Sequence, residues 1–202
     1  MTVNTQRKRV TKQPDVRRQE LMDAAVRVFV EKGIARTTVS DITQSAGVAK
    51  GTFYLYFTSK ENLLGALKER FVNDVLAHAT SHYERVGRED WWALADSIIE
   101  SFTDFMLERK DMIHVIVQEG LAPESSQLFA ECEAKVDAMF AAGIQAGIQA
   151  GVFRTSDPEL LGRFIHHAFD GALTHGILYG PPIDRDRFVA AAKELVRKAL
   201  AP

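Results

Sequence analysis

The stretch that most constrains the fold is residues 37–67, TTVSDITQSAGVAKGTFYLYFTSKENLLGAL. Thr38 is a candidate N-cap, and Asp41, three residues later, completes a pair of the capping-box type. Gly47 ends this short helix, and the spacing predicts a second helix near residues 49–57. A glycine in the connecting turn can adopt a positive φ at little cost. Two short helices joined in this way predict a helix-turn-helix, a motif whose second helix enters the major groove of DNA.

The second of these helices has two chemically distinct faces. Phe53 and Phe57 are four residues apart and share the face predicted to point inward. The residues left to face outward are Lys50, Gly51, Thr52, Tyr54 and Tyr56. Hydroxyl groups can bond phosphates, rings and methyl groups can contact thymine, and a glycine lets the backbone approach closely. This surface therefore predicts contact with a DNA duplex.

Lys60 lies in the first turn of the following helix, where a cation opposes the helix macrodipole. A phosphate at this position would satisfy both the lysine and the free backbone N–H groups. The alternative is a solvated lysine that tolerates a small electrostatic cost. Because the helix pair precedes it directly, we favour the phosphate interpretation.

Every long segment of the chain has helical periodicity, and no segment alternates convincingly enough to predict a strand. Pro14 and Asp15 open the first helix, and Gly33 ends it. Thr58 and Ser59, with Glu61 in a T-x-x-E pattern, open a long helix that continues to about residue 83. Further helices are predicted near 90–108, 112–120, 125–150, 157–179 and from Asp184 onward, with Ile183 and Phe188 as a hydrophobic staple. The pattern predicts an all-α protein with nine helices.

Charge is distributed unevenly along the chain. Residues 1–60 hold eleven Lys/Arg and five Asp/Glu, whereas residues 61–202 hold fourteen and twenty-two. This asymmetry favours a polyanion-binding head on an acidic body, although four of the basic residues belong to an N-terminal tail. The single cysteine, Cys132, excludes an internal disulfide and fits a reducing cytoplasm. No apolar run is long enough to span a membrane, and the N-terminus lacks the apolar stretch of a secretory signal.

The residues from about Arg17 to Leu67 resemble the TetR family of transcriptional regulators. The resemblance depends on AAVRVFVEKG, on TTVSDITQSAGVAKGTFYLYF and on the SKENLL helix start, and the rest of the chain matches in length and helical character. It implies a three-helix DNA-binding domain with a helix-turn-helix, followed by a six-helix ligand-binding and dimerisation domain. It also implies a homodimer on a palindromic operator, with half-sites about 34–36 Å apart or more. The residues implied to contact DNA are Thr38, Ser40, Lys50, Gly51, Thr52, Tyr54, Tyr56 and, on phosphate, Lys60.

The family pattern divides the chain into a basic tail at 1–13, a DNA-binding domain at 14–59 and a helical effector-binding and dimerisation domain at 60–202. The expected function is a cytoplasmic repressor that binds double-stranded operator DNA as a dimer and is released by a small apolar or aromatic effector. The alternative is an activator, or a ligand-independent regulator of the same fold. An enzyme is not expected, because the sequence lacks G-x-S-x-G, H-E-x-x-H and Walker A patterns, and no cofactor is implied. An adaptor that has lost DNA binding would not need Tyr54, Tyr56 and Lys60.

The effector pocket is expected among large apolar side chains of the body, although for any single one of them plain core is the more common role. The candidates are Trp91, Trp92, Phe102, Phe105, Met106, Met112, Met139 and Phe140. Asp74, His78 and His82 have the spacing of zinc ligands on one helix face, but no cysteine pair supports them and no metal site is predicted. His166 and His167 are adjacent and are expected to point in different directions.

Small residues mark two further surfaces. Gly143, Gly147 and Gly151 recur every fourth residue and predict one smooth helix face for close packing. In the family, the last two helices pair with those of a second copy as a four-helix bundle. The dimer candidates on those helices are Ala168, Ala172, Gly176, Phe188, Ala192, Leu195 and Ala199.

Overall fold

The computed structural model describes residues 13–85, 90–118 and 123–201, apart from the side chains of 82–85, 118 and 123–126. Within these ranges the chain forms nine helices and no strand, which confirms the all-α prediction. The helices are α1 (Pro14–Lys32), α2 (Val39–Ser45), α3 (Lys50–Tyr54), α4 (Lys60–Arg85), α5 (Trp91–Glu108), α6 (Lys110–Gln118), α7 (Pro123–Gln149), α8 (Pro158–Tyr179) and α9 (Arg185–Leu200). No helix in the described ranges is both long and apolar enough to cross a bilayer.

The chain divides into two compact units, with the boundary between Leu64 and Gly65. The first unit packs α1 against α2, and α2 against α3, around a core of fully buried side chains. That core contains Leu21, Met22, Phe29, Ile42, Phe53, Phe57, Leu63 and Leu64. Gly33 follows α1 with φ 77°, and Gly47 follows α2 with φ 65°, so both glycines occupy the left-handed region in which side chains are disfavoured.

The predicted cap of α2 is confirmed. Thr38 Oγ1 accepts a hydrogen bond from the Asp41 N–H at 3.2 Å, and Asp41 Oδ2 accepts one from the Thr38 N–H at 2.9 Å. Lys32 Nζ lies 2.7 Å from Asp41 Oδ1, and the hydrogen bonds from Lys32 and Thr38 hold the pKa of Asp41 well below its usual range. These local bonds satisfy helix donors that would otherwise lack partners.

The cap of α4 differs from the prediction. Asn62 makes both capping bonds: its N–H donates to Ser59 Oγ at 3.1 Å, and its Oδ1 accepts from the Thr58 N–H at 3.2 Å. Glu61 is instead hydrogen-bonded to its own backbone N–H and to the Ser59 side chain, and these bonds lower the pKa of Glu61. The helix begins at Lys60, so Ser59 is its N-cap and the third helical residue is Asn62.

In the second unit, α7 and α8 pack closely along their length. Asp90, Asp157 and Asp184 cap α5, α8 and α9 with their side chains. Ion pairs join α9 to α5: Arg185 binds both oxygens of Asp104 at 2.5 and 2.7 Å, and Lys193 pairs with Glu100. Two-point binding of this kind orients α9 as well as attracting it.

The prediction of one smooth glycine face on α7 is wrong at Gly151. The helix ends at Gln149, and Gly151 has φ 75° in the turn beyond it. Gly147 packs under the ring of Phe153: a Cβ there would lie 2.1 Å from Phe153 Cδ2. The close approach between α7 and α8 is made instead by Gly162, where a Cβ would lie 3.1 Å from the Ala141 backbone nitrogen.

Candidate nucleic-acid interface and ligand cavity

The segment from Lys50 to Phe57 is anchored by two phenylalanines. Phe53 is 0% exposed and Phe57 2%, which confirms that both point inward. The helix α3 is shorter than predicted, because after Tyr54 the chain continues as a turn in which the N–H groups of Tyr56 and Phe57 donate to the Phe53 carbonyl at 3.0 Å. This turn returns Phe57 to the core within one helical turn of Phe53.

The side chains of this segment that were predicted to face outward differ in their solvent exposure. Lys50, Gly51 and Tyr54 are exposed, whereas Thr52 and Tyr56 are half-buried. The exposed fraction of Tyr54 is 53%, and its ring meets the edge of Phe53 at 5.4 Å and 82°. Leu55 is 78% exposed and was not predicted as part of this surface. Its position between two tyrosines that face outward could have indicated it.

The two residues at the start of α2 are both exposed, but their hydroxyls differ. Thr38 Oγ1 accepts from the Asp41 N–H and donates to Asp41 Oδ2 at 2.8 Å, so its hydroxyl serves the helix cap. Ser40 lies in the first turn of the same helix with an exposed side chain. Of the pair, Ser40 is the better placed to meet a phosphate without breaking a bond within the protein.

Lys60 makes contacts that the sequence did not reveal. Its half-buried ammonium donates to the carbonyl of Ile34 at 2.7 Å and to that of Thr37 at 3.0 Å. The lysine therefore ties the loop after α1 to the first turn of α4, and it supplies donors to two carbonyls that lie before α2. Two of its three N–H groups are used in this way, so contact with phosphate stays a prediction that depends on the third.

The second unit contains an apolar cavity of about 310 Å³, bordered by α4, α5, α7, α8 and α9. Four of the eight predicted pocket residues line it: Trp91, Phe102, Met139 and Phe140. The α5 residues that line the cavity follow a helical stripe, Trp91, Leu94, Ala95, Ile98, Ile99 and Phe102, so the spacing within this helix could have indicated the whole wall. The volume lies at the lower end of the range for small-molecule sites.

The other four predicted pocket residues lie elsewhere. Phe105, Met106 and Met112 are 5%, 3% and 8% exposed and belong to the buried core, on faces that do not border the cavity. Trp92 packs its ring against Phe153 at 4.9 Å, with the Arg197 guanidinium 5.6 Å from the indole. Size and hydrophobicity alone do not distinguish a cavity wall from a filled core, because both are apolar.

Two histidines are the polar side chains among the described residues that line the cavity. His78 Nε2 lies 2.9 Å from Ser101 Oγ, and its ring packs 4.4 Å from that of Phe105. Asp74, four residues earlier, lies 3.8 Å from Arg109 Nε, and the His82 side chain lies outside the described residues. A cavity bordered by carbon atoms and two imidazoles suits a largely apolar ligand.

His166 and His167, whose side chains were expected to point in different directions, both contact one carboxylate on α7. His166 Nδ1 lies 2.7 Å and His167 Nε2 3.5 Å from the same atom, Asp137 Oδ1 on α7, and the two ring centroids are 4.7 Å apart. Adjacent residues on a helix are separated by about 100°, so a carboxylate between their two directions can meet both. Burial raises the pKa of Asp137, but the hydrogen bonds from His166 and Arg163, together with the adjacent imidazoles, outweigh burial and leave that pKa below its usual value.

The predicted dimer residues lie on α8 and α9, where five of them also line the cavity: Ala168, Ala172, Phe188, Ala192 and Leu195. Ala168, Ala172 and Leu195 are exposed, whereas Phe188, Ala192 and Ala199 are half-buried. Gly176 is half-buried against Ile183 of its own chain, whose Cδ1 lies 2.9 Å from the position of an added Cβ. Leu160 and Phe164, which were not predicted, are 44% and 62% exposed and precede Ala168 and Ala172 at four-residue spacing on α8.

Two family models match the chain. Residues 21–67 match the bacterial regulatory proteins of the tetR family, and residues 96–173 match the C-terminal domain of tetracyclin repressor-like proteins. The transcriptional repressor KstR2 of Mycolicibacterium smegmatis is 30% identical over 164 residues, which are 76% of this chain and 76% of that protein. The chain belongs to the TetR family.

Other transcriptional regulators are similar over different shares of their length. YvdT of Bacillus subtilis, an uncharacterized HTH-type transcriptional regulator, is 36% identical over 115 residues. These are 57% of this chain and 58% of YvdT, so the match spans little more than half of that relative. The structure of SmeT, the repressor of a Stenotrophomonas maltophilia multidrug efflux pump, in complex with triclosan has a TM-score of 0.73 at 18% identity, covering 93% of this chain and 92% of SmeT. That likeness shows a common fold.

Proposed function

We propose that this TetR-family chain is a cytoplasmic DNA-binding transcriptional regulator, most simply a repressor, and not an enzyme. The observation that supports it best is the segment from Lys50 to Phe57. Two buried phenylalanines fix a helix and turn whose remaining side chains include exposed Lys50 and Tyr54. A short rigid element with an outward cation and phenol suits contact with phosphates and base edges.

A homodimer on a palindromic operator follows from the same family pattern. Leu160 and Phe164 on α8, which are exposed and do not line the cavity, support it. When a second helix covers exposed aromatic and aliphatic side chains, apolar surface is removed from water and the dimer is stabilised. On each half-site, Ser40, Tyr54 and Tyr56 are proposed to contact DNA together with Lys50, Gly51, Thr52 and Thr38, and Lys60 to reach a phosphate through its third N–H.

The cavity of the second unit is proposed to bind a small apolar or aromatic effector that releases the operator. Its volume and its carbon-rich wall support this ligand class, and SmeT, which shares the fold, has been solved with triclosan. An effector acts only if it binds one conformation more tightly than the other, so its affinity must differ between the free and the DNA-bound protein.

Selection of bound sequences from random DNA, followed by footprinting of the selected site, tests the DNA-binding part. We expect a site with twofold symmetry, and a loss of about 1–3 kcal/mol in binding free energy for Tyr54→Ala if that phenol contacts a base. Val30→Ala is the matched control, since Val30 is a 47% exposed apolar residue of the same unit on α1. A footprint without symmetry, or equal affinity of the Tyr54→Ala variant and the wild type, would contradict the proposal.

Transcription measured in vitro from the selected site separates repression from activation. A thermal-shift screen of apolar and aromatic compounds, followed by operator release, then tests the effector. If the protein binds its operator but no compound that stabilises it changes that affinity, the ligand-independent alternative replaces the effector model.

A further inference from the structure

The cluster formed by Asp137, His166 and His167 brings three potential metal ligands together between α7 and α8. Asp137 Oδ1 lies 2.7 Å from His166 Nδ1 and 3.5 Å from His167 Nε2, and the three ligand atoms lie within 4.8 Å of one another. These residues are 29 and 30 positions apart in sequence, so only the pairing of the two helices assembles them. The side-chain exposures of Asp137, His166 and His167 are 16%, 8% and 44%, so the group is reached from solvent on the His167 side.

The separations of these atoms suit a transition-metal ion. Zinc binds histidine nitrogen and carboxylate oxygen at about 2.0–2.2 Å, which places tetrahedral ligand atoms about 3.3 Å apart. The two measured separations lie on either side of that value. To hold the ion, His166 Nδ1 and Asp137 Oδ1 must separate by about 0.6 Å, whereas the exposed His167 ring needs only a smaller shift. Binding an ion replaces the proton that His166 Nδ1 shares with Asp137, so no buried nitrogen loses its partner.

Arg163 holds the other oxygen of the carboxylate. Its Nε lies 3.2 Å from Asp137 Oδ2, while Oδ1 faces the two imidazoles. The guanidinium adds positive charge near the site, which weakens cation binding. It also fixes the rotation of the carboxylate, and partners of this kind orient metal ligands in proteins.

We propose that Asp137, His166 and His167 bind a divalent transition-metal ion of the zinc type, which links α7 to α8 beside the cavity. Two imidazoles and one carboxylate form a donor set used by zinc and by ferrous iron, and three protein ligands leave at least one position open for water or a ligand atom. His166 also lines the cavity and stacks on Phe140 at 5.3 Å. An ion at this site therefore fixes the orientation of a cavity-wall side chain.

Titration of the untagged full chain with Co²⁺ and Zn²⁺ alone tests this site. We expect one equivalent of Co²⁺ to give visible absorption bands of four- or five-coordinate cobalt, and Zn²⁺ to displace it. His167→Ala should weaken binding at least tenfold and remove these bands. Because the His167 ring is 44% exposed, this variant should keep the wild-type fold, which circular dichroism checks. His175→Ala is the matched control, since His175 is an exposed histidine of the same helix.

Three results would each overturn the proposed metal site. Absence of one-equivalent binding by the wild type at micromolar metal would overturn the proposal. Equal affinity of the His167→Ala variant and the wild type would overturn it as well, and loss of binding in His78→Ala alone would assign the ion to the α4 histidine instead. None of these measurements contains DNA, so their failure leaves the proposed regulatory function untouched.

Discussion

The contact between Gly147 and Phe153 makes a sharp prediction about stability. Gly147 is a buried residue of α7, and a Cβ at its position would lie 2.1, 2.5 and 2.8 Å from three carbon atoms of the Phe153 ring. No real Cβ tolerates such distances, so Gly147→Ala must displace the ring. That ring is 7% exposed and packs against Trp91 at 6.0 Å and Trp92 at 4.9 Å.

Two effects of opposite sign decide the magnitude. Alanine is better than glycine within a helix by about 1 kcal/mol. Overpacking costs about 1–3 kcal/mol when the neighbours can adjust, and removal of a buried phenylalanine from its site costs about 3–5 kcal/mol. Because the overlap involves three ring atoms, we expect the cost to dominate. The predicted net loss is about 1–3 kcal/mol of unfolding free energy, or roughly 2–10 °C in Tm for a chain of this size.

Urea and thermal unfolding of the full chain, followed by circular dichroism, measure this effect. In a Phe153→Ala background the clash is absent, so the same Gly147→Ala change should become neutral or stabilising by about 1 kcal/mol. Gly65→Ala is the control, since that exposed helical glycine has open space around its Cβ position and the change should stabilise. Tryptophan fluorescence should report the displaced ring, because Trp91 and Trp92 are the two tryptophans of the chain. The packing argument fails if Gly147→Ala is as stable as the wild type, or if it destabilises equally in both backgrounds.

Three further changes test other parts of the structure. Lys60→Met should lower the unfolding free energy by about 1–3 kcal/mol, because two carbonyls lose their donor; if the third N–H also binds phosphate, the slope of log affinity against log salt should fall by about one. The pKa of Asp41 lies below its ordinary value of 3.8, so its stabilising effect is present above about pH 4 and is lost as the pH falls further. The Tm advantage of the wild type over Asp41→Asn should therefore shrink from pH 5 to pH 2, and a constant difference would contradict this. Ala95→Phe places a ring in the cavity wall and should keep operator affinity while abolishing thermal shifts by cavity-binding compounds; unchanged shifts would place their site elsewhere.

The sequence by itself determined the helices and the segment from Lys50 to Phe57. Capping boxes, terminal glycines and the spacing of Phe53 and Phe57 act between residues at most a few positions apart, so their effect can be read without knowing the fold. The same locality explains the small error at α4. A shift of one residue in the helix start exchanged Glu61 for Asn62 as the capping partner.

Only the tertiary structure decided which side chains meet across helices. Lys60 bonds carbonyls 23 and 26 residues away, and His166 bonds a carboxylate 29 residues away. Phe102 borders a cavity while Phe105 fills a core, although both are phenylalanines of one helix. A helix such as this one has apolar side chains on more than one face. The packing of the neighbouring helices decides which face borders a cavity and which is covered, and a local sequence pattern contains no information about that packing.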